Sequence, residues 1–199
     1  METDMSDTTI PGYRHGDATL DAPIPLTDLE RMKKTALFGE QDERALQAAG
    51  EILGPRVEAI LDVWYGFVGS QPHLLASFSK PSGPPDAAYL DAVRKRFGQW
   101  IRDTTAARYD QRWLDWQIEI GRRHHRMKKN QTDGADASAH IRYVDLIPLV
   151  YPIFATVRAF LEEGESDAAK VDAMHHAWLK ALLLTVTLWS QPYVRAEDF

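Results

Sequence analysis

The 199-residue chain is 44% apolar and 26% charged, enough to bury one sizeable core and ordinary for a soluble protein. It has no cysteine, which excludes disulfides, thiolate-bound metal cofactors and Cys-type zinc sites together. A net charge of −6 argues against general attraction to nucleic acid, which needs clustered positive charge. Residues 1–9 are acidic and small polar where a secretory signal would be basic and then apolar. The longest apolar stretch, 177–189, contains Lys180 and falls short of the roughly 20 residues of a bilayer span. The expectation is a soluble cytoplasmic protein with no membrane segment.

Residues 1–25, rich in Gly, Pro, Asp and Thr, read as an irregular extension that Tyr13 could anchor; residues 26–199 read as one domain. Thr27 followed three residues later by Glu30 is a capping-box pattern and predicts a helix over 27–37. A second helix starts at Gln41 or Asp42 and ends at Gly54. Pro55 suits the first turn of a third, which carries Val57, Ile60, Leu61, Trp64, Tyr65 and Val68. Residues 72–78 form a short helical turn, and 80–86, with three prolines and a glycine, a loop. Over 86–105 the residues Leu90, Val93, Phe97, Trp100 and Ile101 make one helical stripe. A helix over 110–129 and a polar loop to Ser138 follow. Two long helices, 139–161 and 166–189, close the chain, the first bent by Pro148 and Pro152. No stretch alternates as a half-buried strand does, so the fold class is all-α.

Among seven histidines, His124 stands out. At 100° per residue Trp113, Trp116, Ile120 and Met127 lie within about 80° of it, which centres it on the buried stripe of its helix. A buried histidine there is either a core residue satisfied by a carbonyl or carboxylate, or an axial metal ligand. The densely basic run from Arg122 to Lys129 and the aromatics Trp64, Tyr65, Phe67, Phe78, Phe97 and Trp100 favour the second reading. A flat apolar cleft, one imidazole and cations at the rim are what haem requires. His175 and His176 are adjacent, so they cannot share a metal; a surface or dimer-interface role is expected. His15, His73 and His140 have no ligand spacing, and hydrolase or kinase motifs are absent from the sequence.

Several segments carry a family resemblance in order along the chain: Pro11-Gly12-Tyr13, the run from Ile60 to Gly69, Arg94-Lys95-Arg96-Phe97, the run from Ile120 to Asp133, Tyr151-Pro152-Ile153, and Trp189-Ser190-Gln191-Pro192-Tyr193. On these the sequence resembles the protoglobins, single-domain relatives of the globin-coupled sensor domains. The resemblance implies a three-over-three globin sandwich enlarged by an extra N-terminal helix and extension, enclosing haem b, iron protoporphyrin IX. It implies His124 as the proximal ligand, with Trp64 and Tyr65 over the distal face. Phe78 and Phe97 match the aromatic wall, Val93 stands where many globins carry a distal histidine, and Ile153 completes the pocket. Leu149, beside Pro148, stands where protoglobins carry phenylalanine, which implies a wider pocket or access tunnel.

The function so implied is reversible binding of O2, CO and NO at a five-coordinate iron, for sensing, storage or scavenging. The chain ends soon after its last helix, so no transmitter domain is expected. An NO dioxygenase or peroxidase-like enzyme, also able to support carbene-type transfer, is the alternative and would need an external reductant. A cofactor-free helical interaction module is the third possibility. The last helix is apolar over most of its circumference, and a twofold homodimer through the two C-terminal helices is expected, as in the family.

Overall fold

The computed structural model describes residues 10–81 and 83–199; residues 1–9, read above for a secretory signal, and Ser82 of the 80–86 loop lie outside the described residues. Among the described residues the helices are α1 (Leu26–Thr35), α2 (Glu40–Leu53), α3 (Val57–Ser70), α4 (Pro72–Leu75), α5 (Ala87–Thr105), α6 (Gln111–His124), α7 (Tyr143–Leu146), α8 (Val150–Gly164) and α9 (Ala168–Ser190). The only extended pairing among them is an isolated bridge between Ser79 and Pro85.

Aspartates start three of these helices by accepting hydrogen bonds from first-turn amides. Asp86 accepts from Tyr89 N (3.1 Å), Asp110 from Trp113 N (2.9 Å), and Asp167 from Ala169 N (2.9 Å). α1 differs from expectation: it begins at Leu26 behind an extended Pro25, with no side-chain cap, so Thr27 lies inside its first turn. The 110–129 helix stops at His124, because the His124 carbonyl accepts from Ile141 N (2.8 Å) across the fold and His125 turns extended. Met127, placed on the buried stripe by periodicity, is therefore 53% exposed, whereas Lys129 turns inward and is buried. The expected 139–161 helix is divided. Pro148 lacks the N–H that would continue α7, and Pro152 is tolerated in the first turn of α8, where no intrahelical donor is needed.

α9 lies against α2, α6 and α8, while α3 packs on α5 and α8. Leu29, Leu46, Leu53, Ile60, Ile101 and Trp178 are fully buried in the shared core, each such aliphatic side chain contributing about 1.5–3 kcal/mol. Residues 143–164 have the length and mean hydropathy (1.6) of a membrane-crossing helix. They are broken at 147–149, and their inner residues Leu146, Ile153, Val157 and Leu161 belong to the core. Their outer side, with Tyr143, Val144, Ile147 and Tyr151, is exposed.

Candidate functional site

α3, α5, α6, α8 and α9 surround a cleft of about 210 Å³. His124, the last residue of α6, lines it. A carbonyl can only accept, so the contact between His124 Nδ1 and the Ile120 oxygen (2.9 Å) places the proton on Nδ1 and leaves the Nε2 lone pair free. Burial pulls the imidazole pKa down to about 4 against that hydrogen bond, and the Lys129 charge adds to the shift. The ring is thus neutral at pH 7 and a competent ligand. Among the described residues no group of three or more His, Cys, Asp or Glu side chains could hold a metal ion unaided.

Seven of the eight residues expected at the site line this cleft: His124, Trp64, Phe78, Val93, Phe97, Leu149 and Ile153. Tyr65 stands behind them. Its ring packs edge-on against Trp64 (4.9 Å between centroids), Phe78 (6.3 Å) and Phe97 (6.5 Å), and the Arg94 guanidinium lies over it. The Tyr65 hydroxyl is buried without a partner, as is Trp64 Nε1. Burial raises the phenol pKa well above its ordinary value, so the hydroxyl keeps its proton and remains a donor. Trp100 also lines the cleft, whereas Phe67 is 38% exposed and does not.

Several lining residues were named in the sequence only as members of the basic run or of a family segment, with no individual place at the site. Lys129 is buried, donates to the Ser77 carbonyl (2.7 Å) and Asn130 Oδ1 (3.4 Å), and lies over the Tyr89 ring. It has no carboxylate partner among the described residues, and burial lowers its pKa to about 8. Periodicity hid it, because a continued helix would have carried it away with its basic neighbours. Arg96 pairs with Asp133 and donates to the Pro11 carbonyl (3.1 Å); Arg123 pairs with Glu119 and donates to the Gly12 carbonyl (2.6 Å). Residues 11–15 thus form a strap on α5 and α6, and Gly12, at φ 76°, lets it lie flat, since a side chain there would meet Thr132 at 2.6 Å. Tyr13 anchors the strap as its sequence suggested: its hydroxyl donates to Asp103 (2.6 Å), and its ring meets Trp116 edge-on.

The remaining histidines divide. His175, expected at a surface or interface, is 7% exposed; it stacks on Phe154 (3.9 Å) and donates from Nε2 to the Phe154 carbonyl (2.9 Å). It is a satisfied core histidine, because α8 covers that side of α9. His176 is exposed, and His15 pairs with Asp103 at 3.1 Å.

The sequence model of the family described as Protoglobin matches residues 26–199. Among solved structures, the chain is similar to the globin domain of the Geobacter sulfurreducens globin-coupled sensor. The match has 14% identity and a TM-score of 0.63, and covers 83% of this chain and 97% of that one. The likeness to that structure is one of fold. No curated protein matches the sequence.

Proposed function

The chain belongs to the protoglobin family, and from that premise we propose that it binds haem b through His124 and takes up O2, CO and NO reversibly. The observation that carries this reading is the neutral His124 imidazole, its Nδ1 committed to Ile120 and its Nε2 lone pair free in an apolar cleft. The other residues fit the group. Lys129 is a buried cation with no carboxylate partner among the described residues, suited to a propionate, whereas Arg96 and Arg123 on the same wall are already paired with Asp133 and Glu119. Trp64 Nε1 and the Tyr65 hydroxyl are buried donors without partners, a state that costs about 1–3 kcal/mol for each group until a ligand relieves it.

Haem would supply an iron with an open coordination position, and the chain sets what happens around it. His124 would hold the group in the cleft through its free Nε2. The Tyr65 hydroxyl keeps its proton and has no partner in the protein; a turn of its ring out from behind Trp64 and Phe97 would bring this donor to a polarised diatomic ligand and favour O2 over CO. Trp64, Phe78 and Phe97 keep water away. Val93 offers no hydrogen bond where a histidine would, and Leu149 leaves room at the end of α8.

Adding haem to the purified protein should produce a Soret band that His124→Ala abolishes or shifts; no band, or an unaffected one, would leave a cofactor-free helical module. NO consumption with a supplied reductant should be no faster than with free haem. Faster turnover would favour the enzymatic alternative. We also place a second copy of the chain against α8 and α9, where Tyr143, Val144, Ile147, Tyr151 and Leu183 are exposed. Exposed apolar residues gathered along one segment, as over 143–151, commonly mark an interface.

A further inference from the structure

Three residues on one face of α6 converge on a single residue of α9, two on its side chain and one on its backbone. Gln117, Gly121 and His124 are spaced four and then three apart, so they stack along the helix. All three meet Trp189. A Cβ at Gly121 would lie 2.9 Å from both the Cα and the carbonyl oxygen of Trp189, so glycine is what lets the two helices approach this closely. The Trp189 ring lies on the His124 imidazole, with centroids 4.6 Å apart and planes 22° from parallel. Gln117, fully buried, accepts at Oε1 from Trp189 Nε1 (2.9 Å) and from Trp100 Nε1 (3.2 Å).

Two indole donors on one oxygen fix the orientation of the amide, since its nitrogen could accept from neither. Gln117 Nε2 is then buried without a partner, a desolvation cost that a leucine at this position would not carry. The hydrogen bond from His124 Nδ1 to Ile120 constrains one edge of the imidazole and still permits the ring to swing about that edge. The stacked indole removes this freedom only if the indole itself cannot move. Gly121 pins its backbone, and Gln117 pins its far end.

We propose that Gln117, acting through Trp189, is a positioning residue that fixes the rotational setting of the His124 imidazole, and hence the plane that ring presents to the cofactor. The proposal rests on the reading of His124 as the haem ligand. The same oxygen ties Trp100, which also lines the cleft, into the assembly.

The test uses the haem-loaded protein in its ferric cyanide form. There the paramagnetically shifted haem-methyl proton resonances report the plane of the axial imidazole. Gln117→Leu removes the acceptor, Trp189→Phe keeps a stacking ring but removes the donor, and Gln117→Glu keeps an acceptor oxygen. The expected result is a changed methyl-shift pattern, common to Gln117→Leu and Trp189→Phe, with the original pattern retained in Gln117→Glu. Trp189→Phe, at a half-buried position, keeps the test available if Gln117→Leu does not fold. An unchanged pattern in Trp189→Phe, with histidine-ligated absorption intact, would overturn the proposal while leaving the haem reading standing. Absence of histidine-ligated absorption from the unsubstituted protein would instead overturn the haem reading itself.

Discussion

Lys129 and Tyr65 are the residues at which burial has the clearest chemical consequence. The folded pKa of Lys129, about 8, lies below its unfolded value of 10.5. The unfolded chain therefore binds more protons between those values, and haem-free stability should rise with pH across that window. Lys129→Met should stabilise the haem-free protein at pH 7 by about 2 kcal/mol, which is about 3 kcal/mol of relieved desolvation less about 1 kcal/mol for the lost bond to Ser77. Urea denaturation at pH 7 and again near pH 10 measures this, and the advantage should shrink at the higher pH. The same substitution should speed haem transfer to an acceptor apoprotein, because it removes a cation from the wall that would face a propionate. Tyr65→Phe removes a hydroxyl that has no partner in the protein, so haem-free stability should not fall. O2 dissociation measured by stopped flow should accelerate about tenfold, the worth of one hydrogen bond, and CO dissociation much less.

At the scale of elements, the site depends on where helices stop and how closely they cross. α6 ends at the residue that carries the free lone pair, and the chain beyond it folds back to bring Lys129 to the wall. The α6–α9 crossing depends on Gly121. Gly121→Ala pushes a methyl group against the Trp189 backbone rather than a yielding side chain, and should cost about 1–3 kcal/mol in chemical denaturation. Less than 0.5 kcal/mol would mean that the helices separate freely. The break at Pro148 places Leu149 in the cleft wall just before α8. Leu149→Phe should narrow that end and slow ligand association in flash photolysis.

For the whole molecule, the strap over residues 11–15 and the exposed side of α7–α8 set the boundaries. Pro11, Gly12, Tyr13 and His15 all contact α5 or α6 through side chains those helices present. The strap therefore covers the cleft only when the helices are correctly packed. On the outer side of α7–α8, Tyr151 is 70% exposed at the start of α8. Sedimentation at micromolar concentration should show a dimer that Tyr151→Glu converts to monomer, since a carboxylate buried in an apolar interface has no partner. A monomeric unsubstituted protein would contradict the pairing.

The one-dimensional pattern alone determined the helical class, most helix starts and the central position of His124, because periodicity and capping are local and leave direct marks on residue spacing. It also marked Tyr13 as an anchor, and the aromatic segments that wall the cleft. Only the tertiary structure decided that α6 stops at His124, since a carbonyl there is taken by Ile141 from across the fold rather than by the next turn. From that one stop follow the exposure of Met127 and the burial of Lys129, while the stacking of His124 on Trp189 follows from the close α6–α9 crossing at Gly121. The burial of His175 was likewise invisible in the sequence, because the Phe154 that covers it lies 21 residues away on another helix. Gln117 gave no signal at all: its meaning lies in two indoles that meet its oxygen from other helices.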